Sequence, residues 1–170
     1  MGCIKHIDRL KSELSQIGYR IEPSDPLKLT VKISEYGHRG DELAEHLKKH
    51  NISIEYFDPD YAVMMLTPEN PESDYETLLR AMSELSKREP VSNSELSFFA
   101  PKIAMTIREA IFSRKELVPT KCAEGRILAE PNASCPPAVT PVSCGERITS
   151  EAIRIFEYYG IKSICVVCDV

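Results

Sequence analysis

The sequence predicts an α+β fold arranged as two small units, and three observations support that prediction. Through residues 1 to 86, apolar residues at helical spacing give way repeatedly to strand-like alternation. Residues 87 to 103 then lose both periods and turn polar apart from Phe98 and Phe99. From 104 to 170 a second, shorter series of helix and strand signals resumes. The expected organisation is a small α/β sandwich over 1–86, ordered helix-strand-helix-strand-strand-helix. A linker over 87–103 and a second small α+β domain over 104–170 follow.

Each element has its own justification. Ile4, Ile7, Leu10, Leu14 and Ile17 recur at steps of three and four, the apolar face of a helix that Gly18 stops. In "LKLTVKI", Leu27, Leu29, Val31 and Ile33 alternate with Lys28, Thr30 and Lys32, which predicts a strand with one dry face. A helix from Asp41 to about His50 would bury Leu43, Ala44 and Leu47. "ISIEYF" alternates as a strand and "YAVMML" runs apolar throughout, the pattern of a central strand covered on both faces. Ser73 and Glu76 suggest a capping box for a helix carrying Tyr75, Leu78, Leu79, Met82 and Leu85. In the second unit Thr106 and Glu109 form another such box, and "GRILAE" and "AVTPVSC" are short extended runs. A helix from Thr149 to Gly160 buries Ile153, Ile155, Phe156 and Tyr159, and "KSICVVCDV" closes the chain as a strand.

Composition narrows the function classes. The net charge over 170 residues is -5, with Lys and Arg dispersed among Asp and Glu. No basic stripe exists to neutralise phosphates, so nucleic acid is not an expected partner. No apolar run approaches the roughly 20 residues that cross a bilayer, and the N-terminus lacks a signal-peptide pattern, so no membrane partner and a cytoplasmic location are expected. The Met-Gly start of a myristoylation signal meets His6 where Ser or Thr is wanted, so no lipidation is expected. Six cysteines in such a chain read as reduced thiols. Cys165 and Cys168 form a CxxC, but alternation in "SICVVCDV" fits a strand with small buried thiols; a thiol or metal module is the alternative.

Candidate chemistry concentrates in "GRILAEPNASCPPAVTPVSCGERIT", residues 125 to 149. Glu130 and Glu146 flank its proline-rich centre, and paired carboxylates can exchange protons or hold a cationic amine; they can equally be surface groups, Glu146 leading into the next helix. Pro136 and Pro137 stiffen the backbone and suit a rigidly presented loop. His46 and His50 lie four apart on a helix, the spacing that aims two rings at one ion, but "EHLKKH" offers no acidic third ligand. A solvated pair and no metal are expected there. Phosphate-cradling glycine loops, GxSxG and HExxH do not occur.

Taken together, "DPLKLTV", "GHRGDELAEHLKKHNISIEYFDPDYAVMMLTPEN", "MTIREAIFSRKELVPTKCAEGRILAE", "CPP" and "GERIT" occur in an order that resembles the C-terminal half of the bacterial ornithine/lysine/arginine decarboxylases. The resemblance runs from about Leu10 to Tyr159. It implies the pyridoxal-phosphate enzymes of the aspartate aminotransferase fold type, with their small domain first and their C-terminal domain from about residue 100. In that family a loop of the form Pro-Tyr-Pro-Pro-Gly-Ile-Pro lies towards the substrate entrance. The matching positions are Asn132 to Pro141, so Glu130, Ser134, Cys135, Pro136, Pro137 and Glu146 become the substrate-entrance candidates. The chain departs from the pattern at Cys135, which replaces the aromatic, at Ala138, which replaces glycine, and at Cys144, which replaces proline. The family's Ser-x-His-Lys motif, whose lysine holds the cofactor, is absent. No catalytic, cofactor-binding or metal residue is therefore assigned in this chain; pyridoxal phosphate is implied for the complete enzyme, which removes the α-carboxylate of a basic amino acid. The implied partners are the pyridoxal-phosphate domain and, in a homodimer, a second copy. The alternative is a stand-alone interaction module, or the partner of a separately encoded cofactor domain, docking through the apolar face of the first helix.

Overall fold

The computed structural model describes residues 2–91, 100–130 and 140–168. Two compact units make up the chain, Met1–Asn93 and Ser94–Val170. Both combine helices with an antiparallel sheet, so the α+β class is what forms.

The first unit opens with helix α1 (Gly2–Ile17). Ile7, Leu10 and Leu14 are buried, whereas Ile4 and Ile17, at the ends of the same stripe, stay exposed. Most of the face expected to dock a partner is therefore consumed inside the unit. Strands β1 (Ile21–Glu22), β2 (Lys28–Lys32), β3 (Tyr56–Phe57) and β4 (Tyr61–Met65) form one sheet in the order β1-β2-β4-β3. A 3-10 turn over Ile33–Tyr36 and helix α2 (Gly40–Lys48) lead from β2 towards β3, and helix α3 (Glu72–Ser83) follows β4.

The register of β2 on β4 explains why one sheet face is dry. Leu29 pairs with Met64 and Val31 with Ala62, all four buried among Ile7, Leu10, Leu14, Leu43, Leu47, Leu78 and Met82. Lys28, Thr30 and Lys32 pair with Met65, Val63 and Tyr61 on the opposite face. Fully burying one such aliphatic side chain stabilises the fold by about 1.5–3 kcal/mol. The expectation that β4 is covered on both faces fails: Ala62 and Met64 are buried, but Tyr61 and Val63 are only half-buried and Met65 is exposed. Although β4 is central in the sheet, only the face that carries Ala62 and Met64 joins the buried core. The strand expected across "ISIEYF" shrinks to Tyr56–Phe57, with Ile52 and Ile54 packed against the core from irregular backbone.

The cap expected for α3 is also displaced. Its N-cap is Pro71, with no side-chain cap, so Ser73 falls inside the first turn, where Glu72 and Asp74 complement the helix dipole. The other end is better served. The last carbonyls of a helix lack intrahelical donors. In and just beyond α3, the Ala81 carbonyl accepts from His46 Nε2 (2.8 Å) and that of Met82 from the Tyr19 hydroxyl (2.8 Å). The Leu85 carbonyl accepts from the Tyr36 hydroxyl (3.3 Å) and that of Ser86 from His38 Nε2 (2.8 Å). Burial pushes the Tyr19 pKa up, which keeps that hydroxyl a donor. Two residues of the expected linker continue this packing, since the amides of Arg88 and Val91 donate to the carbonyls of Tyr36 and Ser34.

The second unit contains helix α4 (Ile107–Phe112), strand β5 (Lys115–Pro119), helix α5 (Ser150–Tyr158) and strand β6 (Ser163–Val167). The Thr106–Glu109 box forms: the Glu109 amide donates to Thr106 Oγ1 (3.2 Å) and the Thr106 amide to Glu109 Oε2 (2.8 Å). Thr149 Oγ1 likewise accepts from the Ala152 amide at the start of α5. Strand β5, absent from the sequence reading, pairs antiparallel with β6, Val118 opposite Ile164 and Leu117 opposite Cys165. The core gathers Leu128, Val142, Ile148, Ala152, Phe156, Ile164 and Val166. Lys102 and Ile103, assigned to the linker by sequence, belong structurally to this unit through the Arg147 amide and a bridge to Glu146.

Candidate functional site

The two stretches flanking the proline-rich segment are fixed from both sides. Before it, Ile127 bridges Arg147 and Leu128 bridges Val166, and the Ala129 amide donates to the Cys165 carbonyl (3.0 Å). After it, the Gly145 amide donates to the Leu128 carbonyl (2.8 Å), and the Gly145 carbonyl accepts from the amides of Ala104 (3.0 Å) and Met105 (3.1 Å). Gly145 has φ near +90°, and a Cβ there would lie 2.5 Å from the Met105 carbonyl oxygen. Only glycine fits this position without strain.

The two flanking carboxylates serve that backbone. Glu130 Oε1 accepts from the Cys165 amide at 3.0 Å. Glu146 Oε2 accepts from the Ser143 amide at 2.7 Å, and the Glu146 amide donates to the Ser143 carbonyl at 3.0 Å. Each carboxylate thus closes a local turn or ties one strand to the next. Ser134, Cys135, Pro136 and Pro137 lie outside the described residues.

The thiols around this region are not poised as nucleophiles. Cys144 is buried, and burial pushes its pKa up. The Cys165 thiol is also raised, first by burial and then by the negative charge of Glu130. Reactive cysteines need the opposite, an electropositive and accessible setting. Among the described residues, Cys165 and Cys168 join no group of three metal-ligating side chains.

In the first unit His46, His50 and Glu84 do converge, one ligand atom of each lying within 4.8 Å of the others. His50 Nε2 is 3.1 Å from Glu84 Oε2. Glu84 is the group that sequence reasoning missed, because only the packing of α3 beside α2 brings it to the histidines. A cleft of ≈ 360 Å³ adjoins this cluster through His50 and is lined also by Met65, Asn70, Asp74 and Thr77 among others, with Asp74 already accepting from Asn70 Nδ2 at 2.9 Å.

The residues present do not fit pyridoxal phosphate. Its aldehyde requires an amine held in a cradle that also grips the phosphate. Every lysine of the chain lies among the described residues, and none is buried. Lys32, one of the half-buried ones, is paired with Glu35 at 3.1 Å, and that partner raises its pKa.

No family model matches the chain. It is 31% identical over 136 residues to an arginine decarboxylase of Bacillus subtilis and 29% identical over 137 residues to an arginine decarboxylase of Bacillus anthracis. Each alignment takes in 76% of this chain but 28% of the relative, so the chain spans less than a third of the length of the curated proteins it matches. Among solved structures, the Francisella novicida lysine decarboxylase LdcF superposes with a TM-score of 0.65 at 13% identity, covering 95% of this chain and 37% of that one. The E. coli constitutive lysine decarboxylase gives 0.60 at 14% identity, with coverage of 95% and 38%.

Proposed function

We propose, because the chain belongs to the ornithine/lysine/arginine decarboxylase family, that it acts as the C-terminal, non-catalytic portion of such an enzyme, shaping the substrate entrance and supporting assembly. The reaction of the complete enzyme is then loss of the α-carboxylate from a basic amino acid, with pyridoxal phosphate held by another part of the protein and drawing electrons from the reacting carbon. The observation that carries this reading is the use made of Glu130 and Glu146. Both carboxylates are engaged by backbone amides in the stretches that flank the proline-rich segment, so they serve the backbone there.

What this chain's residues do is position. Gly145 lets two segments approach closely, Glu146 closes the turn beside it, and Glu130 fastens the preceding segment to β6. These contacts fix the two flanking stretches, 127–130 and 143–147, on either side of the proline-rich segment. The assembly role is supported by large apolar side chains left in water on the second unit: Ile103 is 79% exposed, Phe112 80% and Leu117 69%. Side chains of this kind favour a covering partner, and the cofactor-binding part of the enzyme fits that description.

The test is complementation. The purified chain is mixed with a pyridoxal-phosphate-binding polypeptide of the family that ends before this region, and carbon dioxide release from L-arginine, L-lysine and L-ornithine is followed. Activity in the mixture, with neither polypeptide active alone, is the expected result. Stable association without any gain in activity would instead favour a stand-alone interaction module and overturn the reading.

A further inference from the structure

We propose that His46, His50 and Glu84 form a binding site for a single divalent transition-metal ion, with Zn2+ as the reference ion. Two imidazoles and one carboxylate are a ligand set that zinc accepts, with open positions left for water. Ligand atoms about 2.0–2.1 Å from one tetrahedral ion stand roughly 3.4 Å from each other. His50 Nε2 and Glu84 Oε2 are already 3.1 Å apart, and one atom from each of the three residues lies within 4.8 Å of the rest. The widest separation in the set, at most 4.8 Å, has to close by about 1.4 Å to reach that spacing.

The surroundings favour a ligand in two further ways. His46 Nε2 donates to the Ala81 carbonyl at 2.8 Å, which fixes the tautomer and leaves Nδ1 as the ligating atom. Metal-bound histidines characteristically anchor their second nitrogen on such an acceptor. The turn that carries His50 is itself rigid: its amide donates to the Leu47 carbonyl (2.9 Å), and so does that of Ile52 (3.0 Å). The two rings stand 5.1 Å apart at an interplanar angle of 52°. His46 and His50 are half-buried and Glu84 is exposed, so the site has one open side through which an ion and its waters enter. Lys48 and Lys49 nearby are exposed, and water screens their charge. A bound ion would tie the end of α2 to the end of α3.

Equilibrium dialysis of the metal-stripped full chain against Zn2+ alone, read by elemental analysis, tests this. One equivalent should bind, and Glu84→Gln, His50→Gln and His46→Gln should each weaken binding by about tenfold or more. His46→Gln also removes the Ala81 carbonyl's partner, so Glu84→Gln, at an exposed position, is the variant that keeps the fold. Cysteine ligation is checked with Cys165→Ser and Cys168→Ser, which should leave the stoichiometry unchanged. On adding Zn2+, the imidazole C–H resonances of His46 and His50 should shift while those of His38 stay in place. No bound zinc, binding that survives Glu84→Gln undiminished, or binding lost with the cysteines would overturn the proposal.

Discussion

Replacing Gly145 with alanine probes how the stretch that follows the proline-rich segment is held. The residue sits at φ near +90°, and left-handed backbone costs a non-glycine residue roughly 1–2 kcal/mol. A steric term adds to this, because the new Cβ would stand 2.5 Å from the Met105 carbonyl oxygen. Met105 cannot retreat freely, since its amide and that of Ala104 both donate to the Gly145 carbonyl. Losing one of those bonds adds about 1 kcal/mol, for a total near 2–3 kcal/mol. Gly125→Ala is the control: φ is +77°, but nothing lies within 4 Å of its Cβ, so only the backbone term of roughly 1–2 kcal/mol applies. Urea unfolding of both variants, followed by circular dichroism and by amide exchange at Met105 and Gly145, separates the two terms. Equal stability of the two variants, or an undiminished midpoint for Gly145→Ala, would refute the close approach on which the bracing role rests.

Other expectations are simpler to state. Tyr19→Phe removes the buried donor to the Met82 carbonyl and should cost about 1–2 kcal/mol in urea unfolding. The backbone and hydroxyl of Thr106 hold the Glu109 carboxyl below its usual pKa, so the stability it contributes is present above the unfolded value and fades as pH falls through the folded one. Glu109→Gln should therefore flatten the acid limb of a thermal-midpoint profile. Alkylation followed by mass spectrometry should label exposed Cys122 well before buried Cys144. Glu130→Gln, which withdraws the charge that helps raise the Cys165 thiol, should quicken labelling at that position.

Much of the fold was legible because burial follows simple periods. The two-residue alternation of Leu29 and Val31 and the three-and-four steps of Ile7, Leu10 and Leu14 state which face goes inward, and those residues are buried. Strand β5 was not legible: Lys115, Glu116, Leu117 and Pro119 are exposed and Val118 alone is half-buried, so no dry face is written into it. It is held by its pairing with β6, a long-range term that local pattern does not carry. For α3 the capping signal at Ser73 and Glu76 competed with Pro71, whose fixed φ starts the helix earlier.

The candidate sites divide along the same line. Glu130 and Glu146 were identifiable from their place beside the prolines, but their engagement with the amides of Cys165 and Ser143 is tertiary information. The histidine pair was visible at its four-residue spacing, whereas Glu84 meets it only through helix packing.

The proposed role has this chain serve a decarboxylase without performing its chemistry. The most direct measurement is carbon dioxide release by the purified chain alone, supplied with pyridoxal phosphate and each of L-arginine, L-lysine and L-ornithine. Rates indistinguishable from those of cofactor without protein are predicted. Release above that background, abolished by substituting a single lysine, would contradict the claim.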